Sequence, residues 1–304
     1  MTYYTAYDTA RSRHPDFLLD TLINLSNMLP SRTSRRGRPP TFPLPALCVL
    51  LALKSESQLS YRDFVAQLLH RPLLPQRMGF SRPPSYSTLQ QALRRIDPEV
   101  LHRMCATIAH RRPPPRCVAV DSTGFSHPSG GEWLEVRMER RRRRRFTALH
   151  AVIDTESLMF LAVRVRTRPG GDARELIPLL SRIRHDALEH VYADRAHHSR
   201  ENIQYISDLG AYPAIEPKSG LSGRARGYRG YREQVREYQR GPEEWREAHR
   251  YGRRSLVETV FSMMKVHLTG GLSSRGEEGQ GRELLVRVLL HNIWRLNYLE
   301  CAGR

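Results

Sequence analysis

The segment RRPPPR, Arg111 to Arg116, constrains this chain more than any other. Three consecutive prolines remove backbone donors and fix φ, so neither a helix interior nor a central strand runs through them. Before this break, apolar residues recur at helical spacing. After it, short apolar runs of strand length alternate with helical segments. The break is therefore predicted as a domain boundary, with a helical region over 1–112 and a mixed α/β region over 113–304.

In the first region, Phe17 to Leu29 carries Leu18, Leu19, Leu22, Ile23 and Leu25 at helical spacing. Ser31 to Pro45 is basic and proline-rich, a linker rather than a continuous helix. Its RGRPP core offers Arg36 and Arg38 to a DNA minor groove, or serves as a plain charged linker. Helices are predicted over Leu47–Lys54 and Tyr61–Leu69, followed by one running from a Ser85 or Ser87 cap to about Ile96. That last helix places Leu89, Ala92, Leu93 and Ile96 inward, and Gln90, Gln91, Arg94 and Arg95 outward. A short helix and a turn before it would complete a helix-turn-helix reader whose outward residues touch bases and phosphates. The alternative is an amphipathic helix with a solvated polar face.

In the second region, CVAVDS (Cys117–Ser122), FTALHAVID (Phe146–Asp154) and SLMFLAVRV (Ser157–Val165) are predicted strands, the last two forming a hairpin about Thr155-Glu156. A helix over Gly171–Arg184 is expected with Asp172 as its cap. HVYADR (His190–Arg195) and YPAIE (Tyr212–Glu216) are further strands, Gly252–Leu268 a helix, and Leu284–Leu299 a closing amphipathic helix. Such an order builds a mixed sheet covered by helices. Residues 218–250 form a small basic insertion mixing Arg and Tyr, either packed on DNA by charge and stacking or a disordered loop.

Charge narrows the partner. Lys plus Arg number 49 against 31 Asp plus Glu, a net charge of +18, which calls for a polyanion such as nucleic acid or an anionic membrane. No apolar run approaches the roughly 20 residues that span a bilayer, and the opening residues lack a signal-peptide core. No membrane association and a cytoplasmic, nucleoid-associated location are therefore expected. Cys48, Cys105, Cys117 and Cys301 are scattered without a C-x-x-C pair, which argues against structural zinc and disulfides.

Asp121 and Asp194 each close an apolar strand, where a sheet delivers side chains into a crevice. Either alone could start a turn. Together they are a pair of mutually repelling carboxylates that a cation would hold. Hard oxygen donors suit Mg²⁺, with Mn²⁺ as a substitute, and phosphoryl-transfer sites hold two such ions about 4 Å apart. A third acid comes from YGRRSLVETVFSMMK. Read as one helix, Tyr251, Arg254, Glu258 and Lys265 fall within an arc of roughly 60°. One acid among cations suits a site for both metal and phosphate, although a surface salt-bridge helix has similar spacing. His197 and His198, beside the second aspartate, are read as phosphate or solvent contacts in preference to metal ligands.

The spacing Tyr-x2-Arg-x3-Glu-x6-Lys resembles the hallmark of bacterial and archaeal insertion-sequence transposases of the insertion-sequence-four and insertion-sequence-five groups. The resemblance continues through VAVDSTG, TALHAVIDTES, GGDARELIPLL, VYADR, LTGGLSSR and LLVRVLLHNIWRL in family order, from about Arg116 to the C-terminus. GRPP, LSYRDF and SYSTLQQALRRI look like the N-terminal region of the same group. One departure stands out: many relatives carry Lys-Gly-Tyr after the second aspartate, where this chain has Arg195-Ala196-His197-His198.

The resemblance implies an RNase H-like catalytic fold preceded by an all-α, helix-turn-helix-like region. It implies Asp121, Asp194 and Glu258 as catalytic metal ligands, Arg254 and Lys265 on transposon-end phosphates, and Tyr251 at the cleaved end. The six-arginine run Arg140, Arg141, Arg142, Arg143, Arg144 and Arg145 is read as a phosphate clamp in preference to a solvated loop. The activity implied is binding of terminal inverted repeats in double-stranded DNA. Metal-dependent cleavage and attack of the freed 3′ hydroxyl on target DNA follow, by a homodimer on DNA. Alternatives are a nuclease of the same fold that never integrates, and an inactive DNA-binding regulator.

Overall fold

The computed structural model describes residues 3–29, 41–126, 146–167, 170–218, 220, 224 and 226–303. Arg36, Arg38 and Arg140 to Arg145 lie outside the described residues. The chain divides into two units: Met1–Ile108, Ser126–Arg145 and Met264–Arg304 in one, Ala109–Phe125 and Phe146–Met263 in the other.

The first unit is helical. Helix α1 spans Tyr3–Ser26, starting well before the predicted segment and accommodating Pro15 within it. Helix α2, Leu44–Glu56, begins with Pro45 in its first turn, where a missing N–H costs no intrahelical bond. Helix α3, Tyr61–Leu69, is capped by Ser60, whose Oγ accepts from Asp63 N at 3.2 Å. A short α4, Leu73–Arg77, precedes α5, Tyr86–Arg95, whose cap is Ser85 accepting from Thr88 N at 3.2 Å. Leu89, Ala92, Leu93 and Ile96 are buried, while Gln90, Gln91, Arg94 and Arg95 are exposed, as the periodicity predicts. Helix α6, Pro98–Ala109, stops short of the three prolines.

The closing helix corrects the sequence reading. It runs over Glu277–Cys301, and it is not amphipathic: every residue from Glu283 to Leu299 except Trp294 is buried. It packs against α1, α2 and α5 of its own unit, donating Asn297 Nδ2 to Ala10 O at 2.7 Å and Arg282 Nε to Ile96 O at 2.8 Å. Its polar residues therefore face polar partners inside the unit rather than water. Glu283 and Arg287 are both buried and paired at 2.7 Å. Glu283 also accepts from Ser273 N and Ser274 N, and Arg287 donates to Thr269 O and Gly271 O, so the pair clasps the loop before the helix.

The second unit holds a five-stranded mixed sheet in the order β3-β2-β1-β4-β5. Its strands are β1 (Cys117–Ser126), β2 (Phe146–Asp154), β3 (Phe160–Arg166), β4 (His190–Ala193) and β5 (Tyr212–Ile215). β2 and β3 are antiparallel, whereas β4 runs parallel to both β1 and β5. The hairpin turn is wider than the predicted Thr155-Glu156 pair. Asp154 accepts from Glu156 N and Ser157 N, and Leu158 takes a positive φ of 57°.

Helices α7 (Ala173–Leu180), α8 (Arg200–Asp208) and α9 (Arg229–Arg240) share one apolar core with Val118, Val120, Val152, Ala162, Val191 and Ala193. Since side chains alternate along a strand, Ala119, Tyr192 and their like face the other way. On that second face Phe160 lies 6.2 Å from Phe261 of α11, which spans Leu256–Leu268. A register shift between Val152 and Ile153 turns Phe160 to that side, opposite in sense to Ala162.

Between them lie α10, Pro242–Ala248, and a 3₁₀ turn at Tyr251–Ser255; α12 is the closing helix, Glu277–Cys301. The described part of the 218–250 insertion is thus α9 and α10, with Tyr231, Val235 and Trp245 buried. A disordered loop therefore does not describe this part, and Tyr231 and Trp245 are used inward, whereas Tyr228 and Tyr238 are only half-buried. Asp172 precedes α7 without the predicted side-chain cap; its Oδ1 faces Ser122 Oγ at 3.4 Å and His150 Nδ1 at 3.6 Å.

Candidate active site

The ladder of β1 with β4 pairs Cys117 with His190, Val118 with Val191, Ala119 with Tyr192 and Val120 with Ala193. Asp121 and Asp194 each stand one residue past the last of these rungs, and the charge of Asp194 is felt at Asp121. The strand-end reading holds for Asp194, which directly follows β4, but β1 continues to Ser126, so Asp121 lies within its strand at the end of the segment paired with β4.

Burial pushes the Asp121 carboxyl above the usual carboxylate range; the Ser122 amide works against this and the charge of Asp194 adds to it. Ser122 N donates to Asp121 Oδ1 at 2.7 Å. Asp194 moves the other way. A hydrogen bond from His197 holds its carboxyl below the usual range, against the penalty of burial. His197 Nδ1 lies 2.7 Å from Asp194 Oδ1, which also accepts from Ala196 N at 3.1 Å.

Glu258 stands in the first turn of α11, on its exposed side, while Val257, Val260 and Phe261 are buried. Arg254 Nη1 donates to Glu258 Oε1 at 2.9 Å. Burial lowers the Arg254 guanidinium, but the hydrogen bond and charge of Glu258 more than offset it, with Tyr251 and Asp121 adding to the rise. Arg254 is therefore the electrostatic link between the third acid and the aspartate pair. Tyr251 donates its hydroxyl to Ala193 O at 3.1 Å, next to Asp194, and burial raises its phenol to about 12.

The predicted single helical arc is corrected here. Tyr251 and Arg254 belong to the 3₁₀ turn, and only Glu258 and Lys265 lie on α11. Three residues per turn rather than about 3.6 break the arc, and Arg254 reaches Glu258 across the junction instead. Burial lowers the Lys265 ammonium.

The histidine pair is also corrected. His197 and His198 are both buried, so neither faces phosphate or solvent. His198 Nε2 lies 3.3 Å from Gln234 Oε1, and burial lowers its pKa to about 4. His197 holds Asp194, a contact that the Asp-x-x-His spacing before an amphipathic helix could have suggested. Asn202, which anchors His197 through its carbonyl, had no sequence signal.

Among the described residues, Cys117, Glu189 and His190 form a group whose donor atoms lie within 4.8 Å of one another. They stand at the opposite end of β1 and β4 from the aspartates, and Arg116 Nη2 already grips Glu189 Oε1 at 2.6 Å. Asp121, Asp194 and Glu258 are not gathered to that spacing, each carboxylate being held by a protein partner. Their chemistry nonetheless fits a divalent cation: hard oxygen donors, and a partly buried aspartate pair whose repulsion a cation relieves.

The family model described as Transposase DDE domain matches residues 112–293, more than half of the chain. The chain belongs to the DDE transposase family. The mixed five-stranded sheet of this transposase is compatible with the RNase H-like arrangement of a DDE domain. Membership implies DNA as the substrate, enzymatic cleavage in transposition, and the divalent metal ions that DDE transposases in general use. Among the described residues no helix is long and apolar enough to cross a membrane.

Proposed function

We propose that this transposase belongs to the insertion-sequence-four or insertion-sequence-five kind, and that it cuts and joins DNA with Asp121, Asp194 and Glu258 as its catalytic acids. The observation that carries this reading is the closeness of Asp121 and Asp194, each one residue past the last paired rung of β1 and β4, with Arg254 paired to Glu258 and its charge felt at Asp121. The two aspartates and Glu258 would hold two Mg²⁺ ions, or Mn²⁺ in their place. Bound there, such ions supply Lewis-acid polarisation of a phosphoryl oxygen and a lowered pKa for water.

The chain's own residues do the rest. His197 and the Ala196 amide fix Asp194, Ser122 fixes Asp121, and Arg254 keeps Glu258 in its first-turn position. Arg254 and Lys265 are assigned to backbone phosphates near the cut, and Tyr251 to the end of the strand being cut. Residues 1–112 are assigned to the terminal inverted repeats, with Gln90, Gln91, Arg94 and Arg95 as the exposed face of α5 that reads DNA. Arg36, Arg38 and the six arginines from Arg140 to Arg145 add phosphate contacts. Two ends processed together call for a homodimer on DNA, and a DNA-acting role places the protein with the nucleoid.

The test is cleavage and strand transfer on a labelled duplex carrying the element's own ends, with Mg²⁺ or Mn²⁺ and an EDTA control. Metal-dependent nicking followed by joined products supports the proposal. Nicking without joining assigns a nuclease, and binding without nicking a regulator. Asp121→Asn, Asp194→Asn and Glu258→Gln should each cut at least about 100-fold more slowly, since Lewis-acid stabilisation is worth several kcal/mol. Each should still bind the duplex. Normal cutting by any one variant removes that residue from the site.

A further inference from the structure

After Asp194 the protein builds a short, largely buried hydrogen-bonded chain. Asp194 caps the 3₁₀ turn Arg195–His197, its Oδ1 accepting from Ala196 N at 3.1 Å and from His197 Nδ1 at 2.7 Å. Beside a carboxylate acceptor, Nδ1 carries the proton. The His197 ring is 1 % exposed, so its position is set by packing rather than by solvent. Its carbonyl is held in turn: Asn202 Nδ2 donates to His197 O at 2.8 Å and to Ala173 O at 2.8 Å. Asn202 is itself buried in the first turn of α8, with its backbone N–H capped by Ser199 Oγ at 3.1 Å. Two helices, α7 and α8, thus fix one imidazole against one carboxylate oxygen.

We propose that His197 is a positioning residue for metal binding, anchored by Asn202, which occupies Oδ1 of Asp194 and presents Oδ2 to the divalent cation. The inference rests on the reading of Asp194 as a metal ligand. An unheld carboxylate rotates and must be ordered when the ion arrives, whereas this one is ordered beforehand. Partners that orient a metal-binding side chain typically contribute 10–100-fold to metal affinity. His197 touches neither the ion nor DNA in this arrangement, so its contribution is read first in binding of the ion.

Mn²⁺ titration of the full chain, followed by electron paramagnetic resonance of the free ion, tests this without reference to cleavage. His197→Ala should bind Mn²⁺ about 10–100-fold more weakly than the native chain, with Asn202→Ala shifted in the same direction. His197→Asn places an amide nitrogen near the position of Nδ1 and should restore much of the loss. His197→Gln carries its amide one bond farther out and should not. Wild-type affinity in His197→Ala, with binding lost in Asp194→Asn, overturns the positioning role and leaves Asp194 as a ligand. Wild-type affinity in Asp194→Asn overturns the ligand reading and this inference with it. If His197→Ala does not fold, the Asn and Gln variants decide alone, and equal affinities in those two overturn the proposal.

Discussion

Neighbouring histidines, His197 and His198, end in opposite chemical situations because a 3₁₀ turn points one at Asp194 and the other at Gln234. The sequence marks both as polar and invites a solvent or phosphate contact; only the turn geometry shows that each is buried. The aspartates were easier to place. Each follows a run of small and branched apolar residues, and the strands so marked pair with each other up to the residue before each acid. His198 gives a pH prediction. Burial lowers its folded pKa to about 4, below an unfolded value of about 6.5. Between these values the unfolded chain binds the extra proton, so stability is intact above about pH 6.5 and is lost as pH falls toward 4. The loss is at most about 1.4 kcal/mol per pH unit within that window. His198→Gln, which keeps a partner for Gln234, should show a smaller drop in Tm from pH 7 to pH 5 than the native chain. An equal drop in both would assign the acid sensitivity to other groups.

At the scale of elements, periodicity located α3, α5 and β2 to the residue or nearly so, because each has a clean apolar phase and the two helices a serine cap. It misread two segments for a common reason: local phase does not report which neighbours arrive. The 3₁₀ turn at Tyr251–Ser255 continues an apparently helical pattern, and α12 has an amphipathic sequence although it is enclosed nearly all round. Of the polar residues in the segment read as amphipathic, Arg287 holds the loop before the helix, together with Glu283 one turn earlier. Glu283 accepts from Ser273 N and Ser274 N while paired with Arg287. Removing one partner of a buried pair leaves an uncompensated charge and costs about 3–5 kcal/mol. Glu283→Ala should therefore lower the unfolding free energy of the unit it belongs to by that amount, read by denaturant titration. Replacing Glu283 and Arg287 together by leucine and methionine should cost less than Glu283→Ala alone, because no lone charge remains. A double variant as unstable as the sum of its parts would show that the loop contacts, not the charge, dominate.

For the whole molecule, net charge and the proline break were legible in composition and order, and they point to a polyanionic partner and to two kinds of structure. What no local signal announces is that a unit can be completed from the far end of the chain. Residues 264–304 group with 1–108, and α12 packs on α1, α2 and α5. Leu284, Leu285, Val288, Leu289, Ile293 and Leu296 of α12 are all buried. Each buried side chain of this size contributes about 1.5–3 kcal/mol, so together they match the roughly 5–15 kcal/mol that holds a typical domain folded. A chain ending at residue 276 should then keep the sheet unit but lose the helical one. Hydrogen exchange read by mass spectrometry should show α1, α2 and α5 exchanging rapidly in the shortened chain while β1, β4 and α8 stay protected. Native protection in all six would mean that α1, α2 and α5 hold a core without α12, and that the first 108 residues fold from their own contacts. Rapid exchange confined to the helices would instead mean that repeat recognition, if assigned to that unit, depends on residues more than 150 positions away in the chain.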